Sequence, residues 1–304
     1  MLATSAGEWV HCGRVFSATE IAELCATVAW LPGLARKELA ATVCEHLGWT
    51  TLTGTAKISA CLDFLERLQA AGLLVLPALR PSPPRRCAPP SASAAPVAEP
   101  AVHCALSALA PVSLEVVRDA TRVAQWDALV ARWHPLGFQG AFGYRLRYFI
   151  TAGERRLGCV LLSGAARAVA VRDQWIGWTP QARRENLARV VNNSRFLIFP
   201  HVRVPHLASH VLGQLARRAR ADWLEHWGFE PLLLETFVDP RHYAGTCYRA
   251  AGWQLLGASS GRGLARPGQS YHSTPRQVWV KALTSDACAL LCASLCAAPG
   301  SPRS

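Results

Sequence analysis

The chain has 304 residues, of which 51% are apolar and 17% charged; such a composition excludes a disordered chain and supplies a core for one large or two ordinary domains. The most apolar stretch, Ala287–Ala298, falls short of the ~18 residues needed to cross a bilayer, and the start MLATSAGEWVHCGR lacks an apolar signal core, so a cytoplasmic protein without membrane contact is expected. Lysine and arginine outnumber aspartate and glutamate by 32 to 20, a net charge of +12, which points to a polyanionic partner, nucleic acid first, unless an arginine-rich coding bias accounts for it.

Residues 1–76 predict three helices. Ser17 followed by Glu20 is a capping box, opening a helix with Ile21, Leu24, Cys25 and Val28 on one face and ending at Pro32-Gly33. Ala35–Leu47 forms a second helix on Leu39, Val43 and Leu47. Lys57–Ala70 forms a third, with Ile58, Cys61, Leu62, Leu65 and Leu68 inward, and LLVLP after it reads as one short strand. Three helices and an apolar strand predict a winged-helix-like module. Yet residues 1–76 carry five basic against seven acidic residues, whereas residues 113–304 carry twenty-four against twelve. Phosphate neutralisation dominates nucleic-acid affinity, so the helical module alone is a poor nucleic-acid binder, and protein docking or a structural role is expected ahead of direct DNA contact.

Residues 77–112 are rich in Pro, Ala and Ser and read as an extended spacer. Residues 113–286 then alternate strands and helices. Phe142–Ile150 and the following RRLGCVLLSG predict a hairpin. Helices are expected at Pro180–Val191 and Ala208–Trp227, and strands at Ser194–Pro200, Leu232–Val238, Trp253–Gly257 and Gln277–Leu283. A short helix, Gly245–Ala251, joins the middle two. The order implies an α+β or α/β fold, with helices around a mixed sheet. Residues 287–304 read as an Ala/Cys-rich flexible tail. Cys288, Cys292 and Cys296 fall four apart there, but no His or Asp beyond Asp286 joins them. Eleven cysteines without a Cys-x-x-Cys pair argue against a disulfide framework or a zinc finger, and neither metal nor cofactor is expected.

Within that domain, YRAAGWQLLG (Tyr248–Gly257) resembles a motif of the GNAT acetyltransferase superfamily, a tyrosine and a short helix end before Gly-aromatic and a strand. The resemblance implies a GNAT-like fold, in which the tyrosine often protonates a leaving thiolate. The turn that would receive an acyl-CoA pyrophosphate has Pro205, His206 and Leu207 where glycines are expected. A longer similarity covers RDQWIGW (Arg172–Trp178), RRENLARVVNNSRFLIFP (Arg183–Pro200), VPHLASHVLGQLARRARADW (Val204–Trp223), LLLETFVDPRHYAGTCYRAAGW (Leu232–Trp253) and GASSGRG (Gly257–Gly263). These segments, with the leading helices, resemble the DruA family of the Druantia anti-phage system. The resemblance implies a role in phage defence or in a mobile-element neighbourhood, beside partner proteins such as a helicase.

Several residues are candidates for a site. Arg172 and Asp173 before Trp175 and Trp178 read either as a substrate clamp or as an ion pair anchoring a turn. Asn192, Asn193 and Arg195, crowded at the mouth of an apolar strand, either bond loop backbone or read a base or phosphate. Glu235, inside LLLETFV, must pair with an arginine, Arg195 or Arg172, or serve as an acid/base group. Asp239 and Tyr248 are expected on the same rim as Glu235, at the C-terminal end of the strand. Glu235, Asp239 and Tyr248 are thus the candidate catalytic residues of an acyltransferase or nucleotide-modifying enzyme; a non-catalytic assembly subunit is the third reading. Arg262 in the glycine-rich loop, Arg183, Arg184, Arg217 and Arg218, with Arg220, are the candidate phosphate contacts.

Overall fold

A computed structural model describes residues 9–51, 56–78, 100–137, 143–261 and 274–293. The three predicted N-terminal helices are present as α1 (Ala18–Trp30), α2 (Arg36–Leu47) and α3 (Ile58–Ala70). Ser17 and Glu20 close the capping box in both directions, Ser17 Oγ accepting from the Glu20 N–H at 3.2 Å. Gly48 ends α2 in the left-handed conformation.

Cys61, Leu65 and Leu68 are buried on the inward face of α3 as expected, but that face is turned slightly from the expected one. Phe64 is fully buried, while Ile58 and Leu62 are only half-buried. A hairpin before α1, β1 (Trp9–His11) and β2 (Arg14–Phe16), explains the turn. Phe64 stacks on Phe16 with centroids 4.3 Å apart and meets Trp9 and Trp49 edge-on. Residues 73–77, expected as a strand, form none. Leu74 and Leu76 are buried and Val75 is exposed, but the Leu76 N–H is taken by the Gln69 side chain rather than by a partner strand. Strands therefore precede the three helices here, and the order expected of a winged helix is not found among the described residues.

Residues 79–99 of the expected spacer lie outside the described residues. From residue 100 the chain belongs to the C-terminal unit: β3 (Val102–His103) runs parallel to β8 (Val202–Arg203), and Val102 is buried. Next come β4 (Val112–Val117) and α4 (Ala120–Trp133), neither expected. Asp119 caps α4, and Trp126 fills its inner face, donating its indole N–H to the Tyr148 carbonyl at 2.9 Å.

The expected hairpin is β5 (Arg145–Ala152) and β6 (Arg155–Gly164). It leads through α5 (Ala170–Ile176) and α6 (Pro180–Asn186) to β7 (Val190–Ile198). Then follow α7 (Leu207–Trp227), β9 (Leu233–Val238), α8 (Thr246–Ala250), β10 (Gln254–Ala258) and β11 (Gln277–Ala282). Among the described residues seven strands form one mixed sheet, ordered β10-β11-β9-β7-β6-β5-β4, with flanking helices. The expected fold class holds.

Every pairing in that sheet is antiparallel except β7 with β9. That parallel ladder covers only Val190–Asn192 against Leu233–Glu235, after which the strands part. Next to the parting, β7 bulges: Leu161 pairs with Arg195 and Leu162 with Asn193, leaving Ser194 as the extra residue.

The flexible tail expected from residue 287 is a short helix at its start, α9 (Ala287–Cys292). Ala287 and Leu291, one turn apart, are buried, and the Asn186 amide donates to the Ala293 carbonyl at 2.8 Å. Cys296 lies outside the described residues.

The N-terminal helices dock on the sheet. The Tyr144 hydroxyl accepts from the Gly33 N–H at 3.3 Å and donates to the Trp30 carbonyl at 3.4 Å. Thr42 Oγ1 accepts from the Gly143 N–H at 3.1 Å, Arg167 pairs with Glu23 at 2.8 Å, and Arg145 pairs with Glu38.

Candidate functional site

The candidate residues divide between the two faces of the sheet at the parting of β7 and β9. Successive side chains of a strand point to opposite faces, so Glu235 and Thr236 separate. Glu235 is 0% exposed, and so is its partner Arg172. Glu235 Oε2 accepts from Arg172 at 2.8 Å, and Oε1 accepts from the Ala166 N–H at 2.9 Å. Arg172 also donates to the Ala166 carbonyl at 2.7 Å and to Asp173 at 2.7 and 2.9 Å, and lies over the Trp178 ring. Asp173 in turn accepts from the Val169 N–H and from Arg183. Burial works to lower the pKa of Arg172, but Glu235 and Asp173 outweigh it and hold the guanidinium above its ordinary value.

Arg172, Asp173, Glu235 and Arg183 are therefore one ion network. Of the alternatives open for Glu235, the geometry supports the pair with Arg172, not with Arg195. The network ties β9 to residues 166–173, the segment that follows β6.

On the other face, Thr236 Oγ1 donates to the Asn193 carbonyl at 3.0 Å, and the Tyr248 hydroxyl donates to Asn193 Oδ1 at 2.9 Å. Asn193 Nδ2 donates to the Leu161 and Arg195 carbonyls, bracing the bulge. Burial pushes the Tyr248 hydroxyl well above the ordinary tyrosine range. Asp239 stands half-buried beyond β9, held by the exposed Arg241 at 2.7 Å, and hydrogen bonds from Arg241 lower its pKa. The rim expected to gather Glu235, Asp239 and Tyr248 is thus not assembled, because strand alternation and the end of β9 send the three apart.

The arginine cluster also separates. Residues of a helix are spaced by about 100°, so Arg217, Arg218 and Arg220 face different neighbours. Arg218 pairs with Asp222 and donates to the Leu114 carbonyl, and Arg220 pairs with Glu230. Arg217 alone of the three has no carboxylate partner among the described residues. It lies where two adjoining depressions of about 540 and 420 Å³ meet along α7, both bordered by Gly213, Arg217 and Ala251. His206, His210 and Lys281 line the same groove, and Glu230 is its one carboxylate among the described residues. Arg184 bonds Gln181 on the exposed side of α6. Arg262 lies outside the described residues.

At the start of α7, His206 caps the helix at φ +65° with no side-chain bond to the backbone. Pro205 has no N–H, and the Leu207 N–H already bonds the Val204 carbonyl at 3.3 Å. His206 and His210 stand one turn apart, but no cluster of three or more metal-ligating side chains occurs among the described residues.

Sequence reasoning missed a large cavity. About 720 Å³ lies between α1, α2 and the Glu235 face of the sheet. Trp30 and Phe237 give it aromatic walls, and residues 165–171, the segment the ion network fixes, form one side. Ser194 and Arg195 enter from the bulge, Ser259 and Arg276 from either side of the β10–β11 connection, and Glu45, His46 and Arg167 from the docked helices and the 165–171 segment. Ser194 Oγ and Asn192 Oδ1 are buried without a hydrogen-bond partner among the described residues. Arg195 donates to the Gly137 carbonyl at 3.0 Å and to the Ser194 carbonyl at 2.7 Å, so backbone rather than a carboxylate holds it. Burial and the nearby Arg276 charge lower its pKa. Burial, reinforced by Arg167 and opposed by Glu23, pushes His46 down to about 4.

No helix among the described residues is long and apolar enough to cross a membrane. No curated protein matches the chain. Among solved structures it resembles a Bacillus subtilis acetyltransferase in complex with CoA, at 9% identity and a TM-score of 0.37, over 57% of this chain and 100% of that one. It also resembles the aminoglycoside acetyltransferase AAC(6')-Ib in complex with coenzyme A and kanamycin, at 14% identity and a TM-score of 0.35, over 58% and 96%. A third is the CoA-dependent acyl-homoserine lactone synthase MesI, at 13% and 0.34, over 59% and 93%. Likeness of this degree says nothing about chemistry. The family model described as Druantia protein DruA matches residues 99–285, from just before β3 to just before α9, and with well over half of its length so matched the chain belongs to the DruA family.

Proposed function

We propose that this chain serves anti-phage defence by binding nucleic acid along the basic groove of α7, alongside partner proteins such as a helicase. The observation that carries the reading is the groove itself. Arg217 at its centre, with Lys281, His206 and His210, faces a depression whose one described carboxylate, Glu230, is already neutralised by Arg220. Gly213 in mid-helix adds no side chain to the groove floor, and the Arg217 guanidinium lies over it, 3.6 Å from where a Cβ would stand. The defence role rests on membership of the DruA family.

The acyl-transfer alternative has less support. Pro205 offers no N–H to a pyrophosphate, the Leu207 N–H is taken, and Glu235, Asp239 and Tyr248 do not converge. Fluorescence anisotropy of a labelled oligonucleotide with the full chain tests the proposal. Affinity should fall steeply with salt, and Arg217→Gln should lower the log–log slope by about 0.7–0.9, the share of one phosphate contact. No binding at about 50 mM salt, or an unchanged slope in Arg217→Gln, overturns it.

A further inference from the structure

The cavity between the docked helices and the sheet is built for a ligand of another kind. Its volume, about 720 Å³, falls in the range of small-molecule sites, ~300–1,000 Å³. It is too confined for a duplex and large enough for one nucleotide. Trp30 and Phe237, both half-buried, offer flat apolar surface to its interior. Arg195 and Arg276 border the same space with no carboxylate partner among the described residues. Bonds from Arg195 to two carbonyls fix its guanidinium beside a second positive charge. Two cations kept together at an aromatic cavity favour an anion with a planar body. Ser194 Oγ, buried at the bulge and unpartnered among the described residues, adds an unused polar group at the wall.

We propose that this cavity binds a nucleoside monophosphate unit, its phosphate on Arg195 and Arg276 and its base between Trp30 and Phe237. The unit is either a free nucleotide or the 5′-terminal nucleotide of a strand. The site does not rest on the α7 groove, which lies with α8 and Tyr248 against the other face of the sheet.

Isothermal titration calorimetry on the full chain tests it, with AMP, CMP, GMP and UMP, adenosine and inorganic phosphate as probes. At least one nucleotide should give a saturable isotherm, with adenosine and inorganic phosphate each at least ten-fold weaker. Arg276→Gln should weaken the nucleotide at least ten-fold, and Ser194→Ala should weaken it several-fold. Arg241→Gln, at the exposed end of β9, should leave it unchanged. Arg276 makes no side-chain bond that holds the fold among the described residues, and the melting temperature of each variant checks that it is folded. A 5′-phosphorylated oligonucleotide that displaces the nucleotide assigns the strand end; failure to compete assigns the free nucleotide, and either result supports the site. No saturable isotherm with any of the four at millimolar concentration overturns the proposal. So does equal affinity for inorganic phosphate, or undiminished binding in folded Arg276→Gln.

Discussion

Glu235→Gln separates scaffold from chemistry. The substitution keeps the side chain's length and removes one charge from a pair that is 0% exposed on both sides. Glu235 uses both oxygens as acceptors, one for Arg172 and one for the Ala166 N–H. A glutamine has one acceptor, so its amide nitrogen must face one of these donors. Arg172 is left with Asp173, which Arg183 also occupies. Breaking a buried pair by removing one partner costs ~3–5 kcal/mol. The remaining Asp173 contact puts this case at the lower end, about 3 kcal/mol. At roughly 2–4 °C per kcal/mol for a chain of this size class, the melting temperature should fall by about 6–12 °C. The double variant Glu235→Leu with Arg172→Met should recover much of the loss, because a packed apolar pair replaces the ions without an orphan charge. Asp239→Asn, which breaks an exposed pair, should leave the melting temperature unchanged. Thermal and urea unfolding of the four proteins measure this. A Glu235→Gln protein that melts within about 2 °C of the parent and loses phage protection would refute the scaffold assignment and restore Glu235 as a functional carboxylate.

Acid should destabilise the docked N-terminal helices. His46 titrates near 4 when folded and near 6.5 when unfolded, so the unfolded chain takes up the proton first and stability falls as pH drops from about 6.5 to 4, by up to ~1.4 kcal/mol per pH unit. His134, also lowered to about 4 by burial and Arg195, acts in the same direction. His46→Gln should flatten that slope by up to one proton, and an unchanged slope in denaturant titrations would exclude His46 as its source. Gly245→Ala should cost several kcal/mol, because the residue sits at φ +70° and a Cβ would lie 2.6 Å from the Trp279 ring; a near-native melting temperature contradicts this. Acetyl-CoA should give no saturable isotherm up to millimolar concentration, and a clear exothermic one would promote acyl transfer.

Elements with strong periodicity and sharp boundaries were legible in the sequence, as α1 between Ser17 and Pro32 shows. The three-residue strands of the first hairpin were not, because so short a segment carries no alternation to detect. Their absence from the reading also left Phe64 off the inward face of α3, since Phe64 faces the aromatic side chains that the hairpin brings. The strand β4 and helix α4 directly follow a Pro/Ala-rich stretch, whose composition masked them. At the site, a lone carboxylate in an apolar strand correctly announced a buried partner for Glu235. It could not reveal which face that partner occupied. The cavity was invisible for a different reason: its lining comes from segments as far apart as Trp30 and Arg276, with no local pattern.

The short parallel ladder between β7 and β9 links these observations. Pairing stops at Asn192 and Glu235, and by strand alternation the residues on either side of that point serve opposite faces of the sheet. Asn193 and Thr236 close one face by bonding each other and Tyr248. Those bonds tie β7, β9 and α8 together on that side. On the other face the bulge at Ser194 turns Arg195 into the cavity, and Glu235, one residue before Thr236, anchors the wall through Arg172. One face thus holds a closed hydrogen-bond cluster of uncharged groups, and the other an open space bordered by two arginines, Arg195 and Arg276, that have no carboxylate partner among the described residues. If the chain recognises a small ligand, chemistry favours the cavity side. The residue that looked most catalytic in the sequence serves that side as its support.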